Sequence, residues 1–154
     1  FYGHEPIATT CSRFIMHLFA CPEYHPSEPP VKLSHFIASI IHRGNIHPSV
    51  PYTALIFLQR LKSRFPDIRG SSGHRLILSA LILASKFMCD NSYTNKSWGS
   101  IAHGMFTVVD INQMEKEMCS YLSWELTVNG RTLLDFEKFV STHFSKNRTS
   151  YPTY

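Results

Sequence analysis

The stretch that decides the fold is His74-Arg75-Leu76-Ile77-Leu78-Ser79-Ala80-Leu81-Ile82-Leu83-Ala84-Ser85-Lys86-Phe87. Leu76, Ile77, Leu78, Ala80, Leu81, Ile82, Leu83, Ala84 and Phe87 are apolar and fall on every face of a helix. A helix that is apolar all round has to be surrounded by other helices. The small side chains of Ser79, Ala80, Ala84 and Ser85 let those neighbours approach closely. A buried strand would be shorter than this run. The preceding Gly70-Ser71-Ser72-Gly73 supplies a loop and a start signal. Ser71-Ser72-Gly73-His74 reads as a helix start rather than a nucleophile beside its base.

Upstream, Tyr52, Leu55, Leu58, Leu61 and Phe65 mark a helix that begins at Pro51 and stops at Pro66. Before it, Leu33, Phe36, Ile37, Ile40 and Ile41 share one helical face, ended by Gly44-Asn45. A leading amphipathic helix over about 6–20 carries Ile7, Cys11, Phe14, Ile15, Leu18 and Phe19. Between these two lies a linker, 22–30, whose Pro22, Pro26, Pro29 and Pro30 exclude regular helix or sheet.

Downstream, a short helix is expected over Trp98 to Met105. Asp110-Ile111-Asn112-Gln113 then reads as a capping box with Asp110 at the N-cap. Ile111, Met114, Met118, Tyr121 and Leu122 form the buried face of the helix it opens. Asn129-Gly130 reads as a turn, and Thr132 with Asp135 as the cap of a last helix bearing Leu133, Phe136, Phe139, Val140 and Phe144. The tail after Ser145 is polar and expected to fray, and its Tyr151 and Tyr154 have no assigned role. The expectation is an all-α domain of about seven helices without a strand.

Composition excludes several functions. The 154 residues suit one domain with a real core. The net charge of +4 comes from scattered Lys and Arg, with no basic stripe for nucleic acid. Cys11, Cys21, Cys89 and Cys119 have neither metal nor redox spacing. Cys11, Cys89 and Cys119 sit in apolar helical stretches, as buried reduced thiols do. The nine histidines form no ligand pattern, and no nucleophile elbow, phosphate loop or dinucleotide motif occurs. No metal, cofactor or enzymatic activity is expected. No run is long enough to span a bilayer. No signal-peptide pattern opens the chain, whose first residues, Phe1-Tyr2-Gly3, suit a fragment.

Three segments then carry a family resemblance. Ala80 to Phe87 resembles the signature of the cyclin box. Tyr52 to Leu61 resembles the second helix of that fold, although Gln59 stands where the family has an acid before Arg60. Ile111 to Met118, with the ending Leu122-Ser123-Trp124-Glu125-Leu126, resembles its fifth helix. They occur in the family's order over roughly 33–145. Lys86-Phe87-Met88-Cys89-Asp90, continuing to Thr94-Asn95, resembles the fungal PCL and phosphate-regulon cyclins, single-box proteins. The resemblance implies about five core helices around a central hydrophobic one, plus an N-terminal helix laid against a kinase and a C-terminal helix. It implies a non-catalytic, intracellular subunit, nuclear or cytoplasmic, that binds and activates a cyclin-dependent kinase of the phosphate-regulon type. No nucleic acid, membrane or small-molecule cofactor is implied.

The same resemblance implies that Lys86 and Glu115 anchor the kinase. Lys offers three donors to carbonyls and Glu accepts from N–H groups. Leu83, Phe87 and Met114 would supply apolar contact for the kinase's regulatory helix. Asp90 would meet a kinase Arg in place of a phosphate. On residue type alone, Lys86 is a solvated cation in a helix's last turn and Glu115 a first-turn acid, both favoured by the macrodipole. Asp90 is then an ordinary turn residue. Two other functions use the same fold: a transcription-factor-like module, disfavoured by weak charge and a single repeat, and a scaffold without kinase activation.

Overall fold

The computed structural model describes residues 3–26, 29–68, 72–146 and 151–152. Seven helices occur among them: α1 (Glu5–Phe19), α2 (Leu33–Gly44), α3 (Ser49–Arg64), α4 (Gly73–Met88), α5 (Asn95–Ile101), α6 (Val108–Tyr121) and α7 (Gly130–His143). The architecture is all-α, as expected. Gly70, Ser71 and Tyr154 lie outside the described residues.

Helix α4 forms because Ser72 accepts from the Arg75 N–H at its N-cap, after which the apolar run needs cover on all sides. Every residue from Ile77 to Ser85 is buried. Helices α2, α3 and α6 pack around it, and α1 reaches it as well. Burying a Leu or Ile side chain contributes roughly 1.5–3 kcal/mol, so this one helix supplies a large share of the core's stabilisation. Ser79 returns its hydroxyl proton to the Arg75 and Leu76 carbonyls, so its burial leaves no orphan.

The leading helix is part of that core. Ala8, Cys11, Phe14, Ile15 and Phe19 are buried, and Phe14 meets Phe136 and Phe144 edge-on at 5.5 and 5.1 Å. Its apolar face is therefore filled by its own domain. A kinase laid against α1 would meet the polar face instead.

The Pro-rich linker contains a difference from expectation. Tyr24–His25 (β1) pairs antiparallel with Val31–Lys32 (β2), a two-residue ladder. The prolines flank the paired positions and occupy none of them, so no ladder donor is lost. The ladder is tied to the core by buried His74, whose Nε2–H donates to the Val31 carbonyl at 2.8 Å. Burial drives His74 down to about 4, so the ring is neutral.

Three helix starts move from their expected positions. Helix α5 begins at Asn95, not Trp98, because Thr94 caps it by accepting from Ser97 N–H at 3.2 Å. The α6 capping box is one turn earlier than read: Thr107 is the N-cap and Asp110 the reciprocal acid. Asn129, read as a turn, caps α7 by accepting from Thr132 N–H at 2.7 Å. Cys89 also differs. It is exposed at the extended C-cap of α4, while Cys11, Cys21 and Cys119 are buried. In the tail, Tyr151 stacks on Phe144 at 4.3 Å. No described helix is long and apolar enough to cross a membrane.

Candidate functional site

The last turn of α4 escapes the core. Cys89 ends the helix in an extended conformation, and the chain turns through Asp90 before α5 starts. Tyr93 fixes that turn by donating to the Gly44 carbonyl at 2.8 Å and packing edge-on against buried Trp98. Thr94 then caps α5 and sets Asn95 at its first position.

That position brings four polar side chains together. Lys86 Nζ donates to Glu115 Oε2 at 2.8 Å and to Asn95 Oδ1 at 2.9 Å. Asn95 Nδ2 donates to Glu115 Oε1 at 3.0 Å and to Asn112 Oδ1 at 2.7 Å. Asn112 and Glu115 stand three residues apart and so share one face of α6. The Lys86 and Glu115 side chains are 34% and 22% exposed. An ion pair open to water to this degree contributes about 0–1 kcal/mol, so a partner can open it at small cost. Lys86 uses two of its three donors and keeps one.

An apolar groove of about 410 Å³ adjoins this cluster, lined by Leu83, Phe87, Cys119, Trp124 and Leu126, with Lys86, Glu115 and Lys116 at its edge. Phe87 is 46% exposed and Trp124 74%. Trp124 is held there at a backbone cost. Ser123 and Trp124 both take left-handed conformations, φ 51° and 61°, each costing of order 1–3 kcal/mol for a non-glycine residue.

Two arginines of α3 offset that cost. Arg60 donates to the Glu125 and Thr127 carbonyls at 3.0 and 2.8 Å. Arg64 donates to Ser123 Oγ at 3.0 Å and pairs with the Glu125 carboxylate at 2.6 Å. The Arg64 hydrogen bond and charge hold the Glu125 carboxyl below its usual range. Cys119 forms part of the groove wall, and burial first, then the Glu115 charge, pushes its thiol pKa up, which favours the protonated form.

The residues singled out from sequence divide three ways. Lys86 and Glu115 meet directly, and Leu83 and Phe87 line the groove beside them. Met114 does not join them. It is 2% exposed and faces a separate hollow with Leu61, Leu76, Met118 and Tyr121, because it lies on the core side of α6. Asp90 is exposed beyond the α4 C-cap and does not line the groove. Sequence reasoning missed the roles of Asn95, Asn112, Lys116, Cys119, Trp124 and Leu126. Thr94-Asn95 as a cap followed by an inward amide was the available signal for the first. Two apolar side chains, Trp124 and Leu126, in a polar segment were the signal for the groove wall. No group of His, Cys, Asp and Glu among the described residues could hold a metal.

Comparisons with known proteins identify the family of the chain. The family model for the cyclin N-terminal domain matches residues 20–127. The chain is 37% identical over 115 residues to PHO85 cyclin-1 of Saccharomyces cerevisiae, covering 73% of this chain and 41% of that protein. It is 31% identical over 109 residues to PHO85 cyclin-9 of the same yeast, covering 69% and 36%. Cyclin-U4-1 of Arabidopsis thaliana is 27% identical over 108 residues, covering 69% and 52%. The chain thus spans about two fifths of the length of the yeast relatives it matches.

Proposed function

The chain belongs to the cyclin family, whose members are non-catalytic regulatory subunits, and from that premise we propose that it binds and activates a cyclin-dependent kinase. The kinase is of the phosphate-regulon type, the class to which the yeast relatives' name PHO85 points. The complex acts inside the cell, in the nucleus or cytoplasm.

One observation carries this reading: a hydrogen-bonded Lys86–Glu115–Asn95 cluster at the edge of an exposed apolar groove. A helix of the kinase fits the groove, its apolar residues against Leu83, Phe87, Trp124 and Leu126. Lys86 donates to carbonyls at the end of that helix and Glu115 accepts from N–H groups. Asn95 keeps both heads aimed outward. Met114 supports the groove from the core without touching the partner. The groove favours the kinase state in which its regulatory helix is turned inward, and that difference in affinity is the activation. Asp90, free of the groove, meets an Arg of the kinase activation segment and replaces part of a phosphate's charge. An Asp90→Ala variant should then activate only the phosphorylated kinase.

The test is to mix the chain with a purified phosphate-regulon-type kinase and measure complex formation and phosphorylation of a generic substrate. The Lys86→Ala, Glu115→Ala double variant should lose about 2–5 kcal/mol of binding free energy and the activation with it. A wild-type chain that binds no such kinase would turn the reading toward a scaffold or transcription-factor-like module.

A further inference from the structure

Lys96 follows Asn95 in α5, yet its side chain lines a different concavity. This is an open cleft of about 610 Å³ between the end of α2, α5 and the first turn of α6. Arg43, Lys96 and His103 line it, with Ser100 and Thr107 as neutral polar groups, and no acidic residue does. Asp110 is close in the chain, but its carboxylate is turned back to accept from Thr107 N–H at 3.1 Å.

Arg43 is held ready. Its guanidinium donates to the Ser100 carbonyl at 2.9 Å and to His103 Nδ1 at 3.3 Å. An accepting Nδ1 puts the His103 proton on Nε2, which donates to Ser39 Oγ. Desolvation, then the Arg43 charge, lowers the His103 pKa, so the ring buttresses Arg43 as a neutral base. His103 (φ 58°) and Gly104 (φ 69°) make the left-handed turn that presents the ring. A guanidinium fixed along one edge keeps its other N–H groups oriented, which reduces the ordering cost of binding. Lys96 adds an exposed cation. Val108, which also lines the cleft, and the adjacent Val109 are both exposed, at 41% and 76%.

We propose that this cleft binds a phosphorylated segment of a protein partner, its phosphate between Arg43 and Lys96 and an apolar neighbouring residue on Val108 and Val109. Two cations at the positive end of α6, with no lining acid, suit a dianion better than a single carboxylate. They form one focus and not a stripe, which argues against a polyanion backbone. The valines supply the apolar contact that a peptide side chain needs. The purpose rests on the kinase-subunit reading: Lys96 adjoins Asn95 of the anchor cluster, so a docked segment lies beside the bound kinase. The cleft would deliver substrates or regulators already phosphorylated elsewhere.

The experiment measures fluorescence polarisation of short labelled peptides, one carrying phosphoserine followed by leucine and one unphosphorylated, against the purified chain alone. The phosphopeptide should bind at least about tenfold tighter, and Lys96→Glu should remove that advantage. Arg43→Gln should do the same, but Arg43 also braces the α5 region. Lys96→Glu, with an unchanged melting temperature, therefore carries the test. Lys116→Glu at the other groove should leave peptide binding intact. Equal binding of the two peptides, tighter binding of a single-stranded oligonucleotide, or full binding by Lys96→Glu would overturn the proposal. The Lys86→Ala, Glu115→Ala variant separates the readings, since it should lose the kinase and keep the phosphopeptide.

Discussion

The two ends of α4 are written in nearly the same alphabet and do opposite work. From Ile77 to Ser85 every side chain is enclosed by neighbouring helices. From Lys86 to Met88 the helix continues with equally apolar Phe87 and Met88, both partly open to solvent. What differs is cover, not composition: beyond Ser85 the neighbouring helices no longer enclose α4, and α6 and the Trp124 turn leave a groove there. Hydrophobicity along a helix thus says which residues can be buried, and packing says which are buried by the same chain and which await another. An exposed apolar patch beside oriented polar groups is the usual mark of a binding surface.

The sharpest way to break this contrast is Leu81→Ala, in the enclosed part. It should cost about 2–5 kcal/mol of unfolding free energy, read from urea denaturation, with the urea slope unchanged. If the cost were under about 1 kcal/mol, α4 would not be the packed centre.

The enclosed end also predicts a pH dependence. The folded-state pKa of His74, about 4, lies below the unfolded value of 6.5. Between those values the unfolded chain takes up a proton that the folded ring refuses. Stability is therefore complete above pH 6.5 and falls as pH drops toward 4, by about 2–3 kcal/mol from this group. The wild-type stability curve minus that of His74→Gln should show this slope, and a flat difference would contradict it.

The open end should respond in the reverse sense. Phe87→Ala should change stability by less than about 1 kcal/mol yet weaken kinase binding by about 1–2 kcal/mol, measured by titration calorimetry. The smallest effect is expected from Thr94→Ala. Loss of the α5 cap should cost about 1 kcal/mol of stability. It should also loosen Asn95, visible as faster exchange of the α5 amide protons.

Much of the enclosed part was legible in the chain, because burial on all sides leaves a continuous apolar run that no other element explains. Helix ends were less so. Thr107 and Asp110 can each start a helix, and reading Asp110 as the cap kept two valines out of it. The structure places Val108 and Val109 inside α6, exposed, and so joins Thr107 and Asp110 into one reciprocal box. The linker's prolines hid a ladder because the pattern shows where pairing is forbidden and not where two permitted residues meet.

By itself the sequence determined the all-α class, the central helix, the family and the identity of Lys86 and Glu115 as the residues to watch. These depend on local periodicity and on motifs read along the chain. Only the tertiary structure decided that Asn95 ties Lys86 to Glu115, that Met114 faces inward, and that Arg60 and Arg64 hold Trp124 at the groove. Each of those joins residues from different helices, and the direction of a side chain on α6 is set by what packs against it.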